Sequence, residues 1–221
     1  MSFDKIVHSK PEFYQKKLDT ISSAKQLLYK LLLIDRHITR QREEISRTNQ
    51  QILAEQLKGR KVLEVGCGRG SFLASLERKH GCQCYGVDIS SEMIEHAKAH
   101  NPGPTYSVID SAKLPFDDNQ FDFVIFTYVL HHVDDLAKTI SEAKRVGKHV
   151  IIYESCSFDI QPLKGLSNSY WKLVDGGAHY KPLAEWKRLF GQRVIAEIKG
   201  RGLVRYGMCI FEKDLPDQVL S

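Results

Sequence analysis

The run Val62-Leu63-Glu64-Val65-Gly66-Cys67-Gly68-Arg69-Gly70 constrains this chain more than any other stretch. Val62 to Val65 read as a buried strand, three glycines come next on alternate positions, and Phe72, Leu73 and Leu76 then take up helical spacing. The expected structure is strand, tight turn, helix N-terminus. Glycine lets the turn bend sharply and lets a ligand approach bare backbone. A helix N-terminus offers free N–H groups and the positive end of a dipole. The spacing is G-x-G-x-G rather than the G-x-G-x-x-G of dinucleotide sites. A purely structural turn is the competing reading, and the residues beyond Gly70 decide between the two.

Beyond the glycines, strands and helices alternate. Strands are expected at 62–65, at 82–87 ending on Asp88, at 105–109 ending on Asp110, at 121–127 and at 149–153. Helices are expected at 72–79, from Ser91 through Met93, Ile94 and Ala97, and at 134–145. Short β-α-β connections imply a parallel sheet covered on both faces. Right-handed crossovers bring the C-terminal ends of the strands to one edge, where ligands bind. Ser155 to Lys181 reads as an aromatic-rich loop and 182–190 as a helix. Two strands around Gly200-Arg201-Gly202 read as an antiparallel pair.

Residues 1–58 contain no glycine and read as helical. Ile21, Ala24, Leu27, Leu28, Leu31 and Leu32 share one face, and Tyr29 and Leu33 widen it. Ile38, Ile45 and Ile52 recur on a third segment whose other face is charged, and Lys58-Gly59 stops it. The chain therefore divides into a helical extension, 1–58, serving as a lid, and a domain over 59–221.

With 221 residues there is enough chain for one α/β domain and this appendage. No apolar run approaches the ~20 residues of a membrane span, and the N-terminus lacks a signal-peptide layout. Five scattered cysteines without a C-x-x-C pair read as free thiols of a reducing compartment, so a cytoplasmic location is expected. The net charge of +5 permits an anionic partner without requiring one.

Glu64-x-Gly66-x-Gly68-x-Gly70 resembles motif I of the class I S-adenosylmethionine-dependent methyltransferases. Asp110 to Asp122, with Leu114-Pro115-Phe116 and Phe121-Asp122, resembles the D-x-x-x-L-P-F…F-D segment of the type 11 methyltransferase subgroup. The resemblance covers residues 60 to 154 well. It implies a Rossmann-like, doubly wound, mostly parallel seven-stranded sheet with an antiparallel C-terminal strand. It also implies S-adenosyl-L-methionine as cofactor and S-adenosyl-L-homocysteine as product. The implied cofactor set is Glu64, Gly66, Cys67, Gly68, Gly70, Asp88, Ile89, Met93, Asp110, Ser111, Ala112, Thr127 and His132. The glycine loop would pass under the methionine part, Asp88 would clamp the ribose hydroxyls, and Ile89 would pack on adenine. Asp110 would take the adenine amino group, and Thr127 would meet the methionine amine through its backbone. One departure precedes the last core strand, where Ala143-Lys144-Arg145-Val146-Gly147-Lys148 replaces the family's L-K-P-G-G turn and shortens it.

A sulfonium methyl is already activated, so a general base is optional and depends on the acceptor. The residues considered for it are His131, Glu154 at the last core strand's exit, and His179 or Tyr180, the last two also as acceptor contacts. Adjacent histidines diverge, so His131-His132 is not read as a metal pair, and no metal is expected. A small-molecule acceptor is the first reading. An RNA acceptor is the second, motivated by Arg36, Arg40, Arg42 and Arg47, but the exit of the fourth strand lacks D/N-P-P-Y and no Pro-Cys nucleophile occurs. A cofactor-fold binding protein without catalysis is the third, opposed by intact Gly66, Gly68, Gly70 and Asp88. Monomer and homodimer are equally compatible with the sequence.

Overall fold

The computed structural model describes residues 54–157, 165, 168 and 179–190, with backbone alone for 155, 197–199 and 205–212. The expected lid helices up to residue 53, most of the aromatic loop and the Gly200-Arg201-Gly202 turn lie outside the described residues.

Strand β1 (Lys61–Val65) leads through helix α1 (Ser71–His80) to β2 (Gln83–Asp88), then α2 (Ser91–His100) and β3 (Thr105–Val108). The chain then crosses back to β4 (Phe121–Thr127), makes a 3-10 turn at Leu130–His132, and continues through α3 (Leu136–Val146) to β5 (Gly147–Cys156). Helix α4 (Leu183–Phe190) precedes β6 (Glu197–Lys199) and β7 (Arg205–Glu212). The strand order is β3-β2-β1-β4-β5-β7-β6. The first five strands are parallel. β7 pairs antiparallel with β5, Ile151 opposite Ile210, and β6 pairs antiparallel with β7. The expected α/β architecture with a parallel sheet is thus present, and its switch point falls between β1 and β4.

The centre of the sheet is buried on both faces, which is why β4 is apolar at consecutive positions. Phe121, Val124, Ile125 and Phe126 are all fully buried. One face meets Leu130, Ile140, Ala143, Trp186 and Phe190. Each such side chain contributes about 1.5–3 kcal/mol by leaving water.

Several boundaries differ from the sequence expectation, each for a local reason. Helix α3 begins at Leu136 rather than at Asp134. Val133 is extended (φ −73°, ψ 143°), and the helix starts afresh where the Asp135 side chain accepts from Lys138 N–H. β5 is longer at both ends, so Ser155 and Cys156 belong to it rather than to the loop. α3 passes into β5 without a loop. Gly147 caps the helix, its N–H donating to Ala143 O, and already lies in extended conformation. This is the structural form of the shortened turn.

Candidate active site at the strand C-termini

The glycine loop leaves β1 beside β2 and β4. Gly66 and Cys67 donate their N–H groups to Val87 O at 2.7 and 3.0 Å, which seats the loop on the end of β2. The glycines at 66, 68 and 70 all have positive φ, 75°, 52° and 74°. They serve different purposes. A Cβ on Gly66 would run into the Val129 side chain, and one on Gly70 into the Tyr106 ring. A Cβ on Gly68 would meet nothing within 4 Å. Gly68 is therefore the position where bare backbone faces open space.

Asp88 lies 20 residues on from Gly68 and accepts its N–H at 2.9 Å through Oδ2, while Oδ1 accepts from Ser90 N–H at 2.9 Å. The carboxylate is thereby fixed at the end of β2, with lone pairs left over for a diol. Ile89 beside it is 75% exposed, an apolar surface standing out at the sheet edge. Met93 is buried in the first turn of α2, its N–H donating to Ser90 Oγ. Asp110 makes a tight turn in which Oδ1 accepts from Ala112 N–H at 2.9 Å. The Ser111 hydroxyl is engaged with Thr139 Oγ1 at 3.0 Å.

Glu64 is the unusual member. It is 3% exposed, and its Oε2, like Thr127 Oγ1, has no hydrogen-bond partner at bonding geometry among the described residues. Burial pushes its carboxyl up to about 8; the nearby Thr127 hydroxyl opposes the shift, and Asp88's charge adds to it. Cys67 sits between two of the glycines, and burial pushes its thiol up strongly, so it is inert packing rather than a nucleophile.

These residues fit S-adenosylmethionine. An open backbone cradle at Gly68, a fixed carboxylate for a ribose diol, an exposed apolar wall at Ile89 and a buried acid lacking a cationic partner among the described residues match the nucleoside and the ammonium group of that molecule. The fit rests on the two unpartnered atoms, because a buried polar group without a partner is costly unless something satisfies it.

A second group gathers where β4 and β5 end. His131, fully buried, places Nδ1 2.6 Å from Glu154 Oε2. Its ring stacks on Tyr180 at 5.0 Å and lies 4.1 Å from His132. His179 donates its N–H to His131 O, and Ser157 donates to Lys181 O, which ties 179–181 to the strand ends. Tyr128 and Tyr153 meet edge to face at 4.6 Å nearby. The residues considered from sequence as bases or acceptor contacts are thus brought together, although 25 residues separate Glu154 from His179.

Two contributors have no motif to reveal them. Tyr106 donates its hydroxyl to Gly70 O and Asn101 O at 3.1 and 3.0 Å, and Asn101 Nδ2 donates to Arg69 O at 2.8 Å. Both pin the second half of the glycine loop from β3 and the end of α2. The sequence also carries one metal-like spacing, His96-x-x-x-His100 on α2, which the expectation of no metal passes over. Its rings stack at 4.1 Å, but no group of three or more potential ligands gathers among the described residues.

Residues 63–150 match the family described as a methyltransferase domain. A 2-phytyl-1,4-naphtoquinone methyltransferase from Trichormus variabilis is 38% identical over 41% of this chain and 43% of its own length. A ubiquinone/menaquinone biosynthesis C-methyltransferase from Desulfotalea psychrophila is 30% identical over 66% of this chain and 58% of its own. The chain thus spans about half the length of these relatives. Among solved structures, a putative sarcosine dimethylglycine methyltransferase from Galdieria sulphuraria superposes with a TM-score of 0.64 at 17% identity, over 77% of this chain and 86% of that one. A geranyl diphosphate C-methyltransferase from Streptomyces coelicolor gives 0.62 at 13% identity, over 77% and 81%. At such identities the structures speak for the fold alone.

Proposed function

Because residues 63–150 match the methyltransferase-domain family, we propose that the chain is a class I S-adenosylmethionine-dependent methyltransferase that transfers a methyl group to a small-molecule acceptor. The observation that carries the reading is the polar crevice at the β1–β4 switch point. There, among the described residues, Gly68 faces open space and the buried atoms Glu64 Oε2 and Thr127 Oγ1 have no hydrogen-bond partner at bonding geometry.

The cofactor supplies an activated sulfonium methyl. The chain's own work is to hold, align and keep dry. Asp88 holds the ribose, Ile89 covers the adenine face, and Asp110 reads its amino group. Glu64 and the Thr127 backbone receive the ammonium group. The acceptor lies beyond the exits of β4 and β5, where His131, His132, His179 and Tyr180 gather. Where that acceptor must lose a proton, His179 is the imidazole to test, through the pH dependence of transfer in His179→Gln, since His131 is sealed from solvent against Glu154. The relatives named for naphthoquinone, ubiquinone, menaquinone and tocopherol chemistry support a small aromatic acceptor. The finer reading has four parts: a seven-stranded domain over 59–221 closed by the antiparallel C-terminal strand, a helical lid before it, no required metal, and a cytoplasmic location. The β5–β7 pairing supports the first. The buried free thiols of Cys67, Cys82 and Cys84 support the last.

The test is calorimetric titration with S-adenosylhomocysteine, then transfer of labelled methyl to reduced 2-phytyl-1,4-naphthoquinone and to metabolite extracts with and without nuclease. Gly68→Val should still fold, at a cost in stability because φ 52° strains a β-branched residue, and should bind at least 100-fold more weakly, because its side chain fills the cradle. Unchanged affinity in that variant sinks the site assignment. Label found only in nuclease-sensitive material turns the acceptor reading towards RNA.

A further inference from the structure

We propose that Glu154 is the positioning residue of this site: its carboxyl group clamps a strained turn at Tyr128 and so fixes the exit of β4. The purpose assigned to the clamp rests on the methyl-transfer reading; its geometry does not.

Tyr128 has φ 55°, a left-handed conformation that is costly for a bulky residue and persists only where surroundings over-determine it. Here they do. Tyr128 N–H donates to Tyr153 O at 2.8 Å. The next two N–H groups, of Val129 and Leu130, both donate to Glu154 Oε1, at 2.8 and 2.7 Å. Glu154 Oε2 is in turn 2.6 Å from His131 Nδ1, and both side chains are sealed from solvent. Glu154 therefore grips three consecutive residues of the turn. With both oxygens engaged and no path to water, it is built to hold the backbone rather than to collect a substrate proton.

The clamp also reaches the cofactor loop. The Val129 side chain occupies the space that a Cβ on Gly66 would fill. Thr127, which carries the unpartnered hydroxyl, immediately precedes the strained residue. Releasing the turn should move Thr127 and loosen the packing under Gly66 together.

Two readouts test this: S-adenosylhomocysteine affinity by calorimetry, and amide deuterium exchange over residues 126–132 without ligand. Glu154→Gln keeps an oxygen for both N–H groups, so affinity should stay within threefold and the Val129 and Leu130 amides should stay protected. Glu154→Ala should bind at least tenfold more weakly, with both amides exchanging faster. In a Tyr128→Gly background the same Glu154→Ala loss should shrink to threefold or less, because glycine adopts positive φ unaided. If Glu154→Ala does not fold, Glu154→Asp, one methylene shorter, takes its place with the same thresholds. The proposal is overturned if Gln is as damaging as Ala, or if the loss is undiminished in the glycine background. A wild-type protein that binds no S-adenosylhomocysteine defeats the methyl-transfer reading, while exchange at Val129 and Leu130 still decides for or against the clamp.

Discussion

Glu64 titrates on the wrong side of neutrality for a carboxylate, and the consequence can be measured. Its unfolded value is 4.5 and its folded value is about 8, chiefly through burial. Between those pH values the folded chain holds one more proton than the unfolded chain, so stability falls as pH rises, and the loss is complete above pH 8. Glu64→Gln should remove that slope. It should stabilise the unliganded protein at pH 8.5 by roughly 2–4 kcal/mol, less than the full shift because buried sites relax, and hardly at all at pH 4.5. Thermal melts across that range check it; a variant whose slope matches the wild type contradicts it. An ammonium group beside Glu64 should pull its proton off, so S-adenosylhomocysteine binding at pH 7 should release a proton that Glu64→Gln does not. Calorimetry in two buffers of different ionisation enthalpy reads this directly. At this scale the acid, the glycines and Asp88 were legible in the sequence because each sits at a fixed spacing from a strand end. The strain at Tyr128 was not, because no local pattern encodes a positive φ on tyrosine. Nor were the pins from Tyr106 and Asn101, which come from a strand and a helix end more than 30 residues along the chain from the loop.

Among the elements, the 113–120 segment shows how a stretch that looks functional is held for structural reasons. Arg145 near the end of α3 donates to Leu114 O and Phe116 O, at 2.8 and 2.7 Å, and pairs with Glu142 at 2.8 Å. Glu142 also accepts from Leu114 N–H. Leu114-Pro115-Phe116 is thus strapped to α3, and Phe116 and Leu114 pack into the core. The same bonds hold Glu142 at about 2, with Arg145 the main cause and burial opposing. A depressed carboxyl value stabilises the fold above the unfolded value of 4.5 and loses that contribution as pH falls through about 2. Glu142→Gln should therefore cost about 1 kcal/mol at pH 7, after allowance for solvent screening, and nothing at pH 2. Asp118, 72% exposed, adds little to the pair. Gly147 belongs to the same junction. A Cβ there would lie 2.6 Å from Val124 Cγ2 and 3.1 Å from Ala143 O, so Gly147→Ala should destabilise by about 1–3 kcal/mol in denaturant melts. The alternation of strands and helices was readable from periodicity and the shortened turn from residues 143–148, but the direct passage of α3 into β5 was not. The apolar pattern marks the buried middle of β5 and is silent on how far its ends continue pairing.

At the scale of the whole molecule the question is where the methyltransferase domain begins, because that decides how the proposed lid can be removed cleanly. The sequence puts the boundary at Lys58-Gly59, where the helical pattern stops. The described structure ties the preceding turn to the sheet unit. Residues 54–57 are helical, Leu57 is fully buried and Ala54 nearly so. Cys82 Sγ donates to Leu57 O at 2.9 Å, and Gly59 N–H donates to His80 O at 3.0 Å. A chain starting at residue 59 loses the Leu57 side chain from its packing, a loss of the size of a large-to-small core substitution, about 2–5 kcal/mol. A chain starting at residue 51 keeps it. The two truncations should therefore separate stability from closure. The shorter should melt well below the full protein. The longer should melt close to it and bind S-adenosylhomocysteine, but release it faster, at least fivefold in stopped-flow dissociation, and fail to transfer. That pattern is what a lid over the strand edge requires, since it shields the sulfonium from water and slows escape without building the fold. The apolar face of Ile21, Leu27, Leu28, Leu31 and Leu32 needs a surface to cover, and the strand edge and a second copy of the chain are the two on offer. Sedimentation of the longer truncation distinguishes them. A change from dimer to monomer with normal dissociation kinetics assigns these helices to assembly and removes the lid from the mechanism.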